Sequence, residues 1–234
     1  MNASAQQNAS RSGIPFHMLE RGSVADAAFR RRLLTALEAA AGRAQARLPA
    51  FNVDIVVFEN RFGVIPRIGV NGNSYYFNRI ELIYDSMHPV FAARPEEQAG
   101  STLVHELHHH ARGARYGRSL GERLVSEGLA CAFEEECGYE TPFYAIECKG
   151  EPLRGFASRA LAVLDRTDLN FANWMFGRLD RADGEFPYQC GYSLGYALAK
   201  AWLTQTNSTA SENHAIDAEV VLKAWRAGTI QPKP

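Results

Sequence analysis

The chain lacks most of what would place it in an extreme class. Its 234 residues include only 4 cysteines, Cys131, Cys137, Cys148 and Cys190, with no Cys-x-x-Cys pair and no dense framework. That excludes a disulfide-stapled scaffold and predicts reduced, mostly buried thiols. No apolar run approaches the ~18 residues that a membrane-spanning helix requires. Met1–Gly13 is rich in Asn, Ala, Ser and Gln and has no apolar stretch. A secretory signal is therefore not expected, and the protein is expected in the cytoplasm. An excess of one charge is also missing: 25 Lys+Arg face 26 Asp+Glu, for a net charge of −1. That balance excludes the broad basic surface of a non-specific nucleic-acid binder. What remains, 46% hydrophobic and 22% charged residues, is an ordinary globular composition. The length suits a single domain.

Periodicity divides the chain into a β-containing first part and a helical second part. Residues 1–13 read as a flexible tail and 14–228 as one domain, with a β-containing lobe over about 14–113 and a helical lobe over about 114–228. Phe29, Leu33, Leu37 and Ala40 fall at helical spacing within Val24–Leu48, and Pro49 stops that helix. Phe51–Phe58 is short and β-branched, which predicts a strand. Gly63–Val70 and Ser74–Tyr84 flank Asn71-Gly72-Asn73, a pattern that predicts a hairpin turn. Pro66 places the first of these strands at an edge. Either segment, 64–70 or 76–84, then offers an edge to which an extended peptide can add as a strand. In the second strand Ile80, Leu82 and Tyr84 share one face. Beyond Asp85 the pattern is helical, with segments over about 95–113, 119–137, 152–166, 168–178, 191–206 and 215–226.

The helix expected over about 95–113 contains His105-Glu106-Leu107-His108-His109-His110, and within it the pattern His-Glu-x-x-His: His105, Glu106 and His109. Residues four apart on a helix lie nearly one above the other, so both imidazoles can reach one metal ion. Glu106 flanks that ion without having to bind it, as a general base does. Leu103, Val104 and Leu107 make the rest of the helix apolar. His108 and His110 read as solvated or as supports, not as ligands. A catalytic zinc takes three protein ligands and keeps one open position. Glu127 lies on the following helix among Leu124, Val125, Leu129 and Ala130. A carboxylate in so apolar a stretch requires a partner, which makes Glu127 the candidate third ligand. The cysteines are not ligand candidates by spacing.

These residues resemble the gluzincin metallopeptidases. Ser126-Glu127-Gly128-Leu129-Ala130 resembles the Asn-Glu-Gly-Phe-Ala stretch of the alanine aminopeptidase family, whose Glu binds zinc. Glu134 matches an acidic position of the same motif; it reads as orienting a ligand imidazole and is the competing candidate for the third ligand. Tyr192-Ser193-Leu194-Gly195 resembles the Tyr-x-x-Gly in which the hydroxyl stabilises the tetrahedral intermediate. The set as a whole is most similar to a bacterial family of predicted Zn-dependent proteases still labelled a domain of unknown function. There His-Glu-x-x-His, Glu-Gly-Leu-Ala and Gly-Tyr-x-x-Gly-Tyr occur in this order, as they do here (the last being Gly191–Tyr196). The chain departs from the aminopeptidases in Ser126, in a spacing to Glu127 one residue shorter, and in lacking the Gly-Ala-Met-Glu-Asn segment that holds a free amino terminus.

The resemblance implies an α+β, zincin-like fold: a small N-terminal sheet over the His-Glu-x-x-His helix and a helical C-terminal lobe. It implies Zn²⁺ held by His105, His109 and Glu127, with Glu106 as base and Tyr192 as oxyanion donor. The expected partner is a peptide or protein cut internally, with no nucleic acid and no membrane span. Tyr196 reads as an aromatic that packs, with His214 next in line as donor should neither tyrosine serve. The alternative is a zinc-binding regulatory or interaction module without peptidase activity; the basic segment Arg112, Arg115, Arg118 and Arg123 reads as a solvated face or as a site for an anionic partner.

Overall fold

The computed structural model describes residues 13–50, 52–76, 78–113, 117–178 and 185–233. Positions 1–12 of the expected tail, Phe51 and Arg115 lie outside the described residues. The fold is mixed α+β, a small four-stranded sheet followed by helices. It divides into two units, Met1–Leu107 and His108–Pro234.

In the first unit the strands β1 (Phe16–Leu19), β2 (Asp54–Glu59), β3 (Val70–Tyr76) and β4 (Arg79–Tyr84) form a sheet in the order β1-β2-β4-β3. β1, β2 and β4 run parallel, and β3 pairs antiparallel with β4. Helix α1 (Ala27–Gln45) makes the crossover from β1 to β2. The Asp26 side chain caps it by accepting from the Phe29 amide at 2.7 Å. Its inner face buries Leu33, Leu37, Ala40, Ala41 and Ala44. Ile55 and Val57 of β2 and Ile80, Leu82 and Tyr84 of β4 are fully buried. The alternation seen in the sequence of β4 is thus its real inside and outside.

Two expectations for this sheet require correction. Residues 64–70 are not an edge strand: Pro66 and the left-handed Gly69 (φ +73°) break the extended backbone, and turns occupy the segment. Nor is 76–84 an edge, because β4 lies between β2 and β3. Asn71-Gly72-Asn73 is not a turn either. It lies within β3, with Gly72 opposite Leu82. Among the described residues β3 pairs on one side only and is the edge beside β4.

The carboxyl ends of the three parallel strands meet at one carboxylate. Glu59 Oε2 accepts from Ser23 Oγ (2.5 Å), Val24 N (2.8 Å) and Ala25 N (3.1 Å), just beyond β1. Its Oε1 accepts from the Ser86 hydroxyl and amide, just beyond β4.

After α2 (Pro89–Ala93), helix α3 runs from Pro95 to Arg112 and passes unbroken through the boundary between the units. Pro95 suits a first turn, where its missing N–H costs nothing, and Glu96 and Glu97 sit where the helix dipole favours anions.

In the second unit α4 (Leu120–Glu136) is buried over most of its length. It opens on a capping box: the Ser119 side chain accepts from the Glu122 amide, and the Glu122 carboxylate accepts from the Ser119 amide at 2.8 Å. Helices α5 (Phe143–Ile146), α6 (Gly150–Leu161) and α7 (Phe171–Phe176) lead to α8 (Cys190–Thr206) and α9 (Ala218–Arg226). α4 and α8 approach until their backbones touch. A Cβ at Gly128 would lie 1.9 Å from the Gly195 carbonyl oxygen, and one at Gly195 2.3 Å from that of Leu124. Only glycine fits at this crossing. Among the described residues no helix is long and apolar enough to cross a membrane.

Candidate metal centre

Leu103, Val104 and Leu107 anchor α3 in apolar surroundings at 0% exposure. The helical period then sets His105, Glu106 and His109 on its other sides, all enclosed at 6–8% exposure. Glu127 of α4 is buried as well. His109 Nε2 and Glu127 Oε2 are 3.2 Å apart. Two ligands bound at about 2.0–2.1 Å with a tetrahedral angle stand about 3.3 Å apart, so this spacing suits two zinc ligands as well as an N–H···O hydrogen bond. One ligand atom each from His105, His109 and Glu127 lie within 4.8 Å of one another. The donor set, two imidazoles and a carboxylate, fits a catalytic zinc. The other nitrogen of His109, Nδ1, lies 3.3 Å from the hydroxyl of the fully buried Ser126. A proton held there on Nδ1 leaves the Nε2 lone pair for a metal.

Glu106 is beside strand β3. A Cβ at Gly72 would lie 2.4 Å from Glu106 Cγ and 2.7 Å from its Oε1. The glycine in mid-strand is there for close approach, and the group it admits is the candidate base.

Glu134 stands two turns beyond Glu127 on α4 and is almost fully buried. Its carboxylate, Cys131 Sγ and a ring nitrogen of His105 lie within 4.8 Å of one another. Cys131, one turn after Glu127, thus lies near the candidate site. Glu127, Cys131 and Glu134 follow at i, i+4 and i+7, one face of a helix, and that periodicity is the signal that finds the thiol. The Tyr144 hydroxyl of α5 donates to Glu134 Oε1 at 2.9 Å. Burial, together with the carboxylate, holds the Tyr144 phenol well above its ordinary range, so it remains a donor at neutral pH. No motif pointed to Tyr144.

Tyr192, in the first turn of α8, sits edge-on to Tyr144 with ring centroids 5.0 Å apart. Its other face meets Phe176 at 5.6 Å. Tyr196 is not simply packed, for its hydroxyl donates to Glu135 at 2.5 Å beside Lys200. Gly191 serves packing and not backbone freedom. A Cβ there would lie 2.5 Å from Met175 Cα and from the Trp174 carbonyl oxygen.

His108 is not solvated: it is fully buried, 5.3 Å from the Phe133 ring, with Nε2 3.4 Å from the Ala210 carbonyl. His110 is partly buried, and burial pushes its pKa down. Of the basic segment, Arg118 is exposed, whereas Arg112 and Arg123 are engaged within the fold. Arg112 is 1% exposed and donates to the carbonyls of His214 (3.0 Å) and Ile216 (3.3 Å). Arg123 stacks over Phe171 at 4.2 Å. His214 Nδ1 lies 2.7 Å from the Ser211 carbonyl, so its donor capacity is engaged locally.

No curated protein and no solved structure matches the chain. Residues 35–223 match the family described as predicted Zn-dependent protease (DUF2268), a match that spans both the His-Glu-x-x-His helix and the helices bearing Glu127 and Tyr192. By that match the chain belongs to this family.

Proposed function

We propose that the protein is a zincin-like zinc peptidase that cleaves internal peptide bonds. The observation that carries this reading is the buried convergence of His105, His109 and Glu127, with Glu106 beside the edge strand. A zinc held by those three side chains would acidify a water and polarise a carbonyl. Glu106 then takes a proton from the attacking water and returns it to the leaving amine. Tyr192 donates to the developing oxyanion. Glu134 steadies His105 and is itself held by Tyr144. The outer side of β3, beside which no strand lies among the described residues, accepts the peptide as an added strand. Gly72 leaves no side chain between that backbone and Glu106.

The test is metal content of the purified protein together with cleavage of a peptide library, with and without chelator. About one zinc per chain and chelator-sensitive cleavage are expected. His109→Ala should lose the metal, whereas His110→Ala, one residue on, should keep it. Equal loss in both sinks the ligand assignment.

Cys131 favours a rival, a zinc-binding module without peptidase activity, because it forms a second donor set with His105 and Glu134, and a thiolate suits a structural zinc site. Cys131→Ser separates the two. A peptidase keeps its zinc and its turnover after that substitution; a closed structural site loses affinity.

Tyr192→Phe should leave zinc content and KM unchanged and slow kcat by about 10²–10³, the usual loss for one oxyanion donor. Tyr196→Phe should have a much smaller effect on kcat. If the two effects are reversed, the roles of the tyrosines exchange.

A further inference from the structure

Helix α8 has a second working face. Gly195 and Leu198 turn toward the buried side, while Ser193, Ala197 and Ala201, four residues apart, line a cavity of about 570 Å³ within the second unit. Leu153 of α6 and Ile230 near the C-terminal end complete an apolar wall. Lys149, Lys200 and Lys233 also line the cavity, and its described lining includes no acidic residue. Lys200 is partly neutralised by Glu135 at 2.9 Å. Lys149 has no carboxylate partner among the described residues, and neither has Lys233. Thr204 and Gln205 add polar groups at the same end of α8.

A largely apolar lining joined by two lysines that lack a carboxylate partner among the described residues selects a particular chemistry. A neutral apolar molecule leaves the lysines unused, and a small polyanion leaves the walls unfilled. A cation is repelled. The volume lies within the usual range for small-molecule sites. We propose that this cavity binds an aliphatic carboxylate, its chain along Leu153, Ala197, Ala201 and Ile230 and its head between Lys149 and Lys233. The ammonium groups keep their water on one side, so the carboxylate is attracted without full desolvation. Nothing in this depends on the metal centre or on peptidase activity.

The test is calorimetric titration of the full chain with laurate below its micelle concentration. Laurate should bind once per chain. Acetate, which has the head alone, should not bind, and neither should dodecyltrimethylammonium, which has a tail of the same length and the opposite charge. The exposed double substitution Lys149→Gln, Lys233→Gln should weaken laurate by at least about tenfold while the thermal midpoint stays unchanged. Ala201→Trp, which fills the chamber, should abolish binding. The proposal is overturned if laurate does not bind, if dodecyltrimethylammonium binds as well as laurate, or if the double lysine variant binds laurate normally.

Discussion

Glu106→Gln is expected to give a folded protein that keeps its zinc and loses hydrolysis by about 10²–10⁴-fold, the usual contribution of a positioned general base. Glutamine matches glutamate in size and can hydrogen-bond, but it takes up no proton at neutral pH. The side chain is enclosed at 8% exposure, and its Cγ is so close to β3 that a methyl group at Gly72 would lie 2.4 Å away. Its place is thus set by backbone, and the substitution changes chemistry without changing shape. Gly72→Ala makes the complementary change, displacing the carboxylate without altering its chemistry. It should lower kcat and spare zinc content. The measurement is kcat alongside metal analysis for each variant. Normal turnover by Glu106→Gln would remove Glu106 from the reaction.

Gly128→Ala should be among the most destabilising single substitutions in the chain. The new methyl would lie 1.9 Å from a carbonyl oxygen of α8 and 2.3 Å from its carbon, and neither is a side chain that can rotate away. The two helices must part, and with them the packed layer of Leu124, Leu129, Leu194 and Leu198, all at 0% exposure. Overpacking of this kind costs about 3 kcal/mol or more, because backbone relaxes less than side chains do. For a chain of this size that is a drop of roughly 6–12 °C in thermal midpoint. Gly42→Ala is the control. It lies on the exposed side of α1 with nothing within 4 Å of the added carbon. Helix propensity alone acts there, and the protein should gain about 0.5–1 kcal/mol. Calorimetric midpoints check both, and a neutral Gly128→Ala would mean that the helices do not cross this closely.

Much of this architecture was legible in the sequence where periodicity and caps act together. α3 and α4 announce themselves through apolar spacing, an acidic first turn and the Ser119–Glu122 box. The spacing of His105 and His109 follows from helical geometry alone. The glycines were harder to read. Gly72, flanked by asparagines, has the local chemistry of a turn, yet it is demanded by a contact with residue 106, which local sequence cannot show. Gly191, just ahead of the candidate donor Tyr192, has the local chemistry of a flexible joint, yet it supplies room against Trp174 and Met175. β1 has only four residues and becomes a strand by pairing with β2, so its own pattern is too short to detect. His108 stands beside His109 in the sequence, but the helix turns it about 100° away, into the core. Tyr144 reaches Glu134 from a four-residue helix, too brief to carry a periodic signal.

The Glu59 junction makes the sheet a proton-sensitive structure. Partial burial alone would raise the pKa of this carboxyl, but donors from Ser23, Ser86, Ala25 and Val24 outweigh it and leave the value below the ordinary one. The folded chain therefore binds this proton less readily than the unfolded chain does. Stability from the junction is fully present above the unfolded carboxylate pKa and is lost as pH falls through the lower, folded value. Protonation strips acceptors from the amides and hydroxyls that join the ends of β1, β2 and β4 in one step. Acid should then loosen three strand ends together instead of fraying them singly, through the uptake of a single proton.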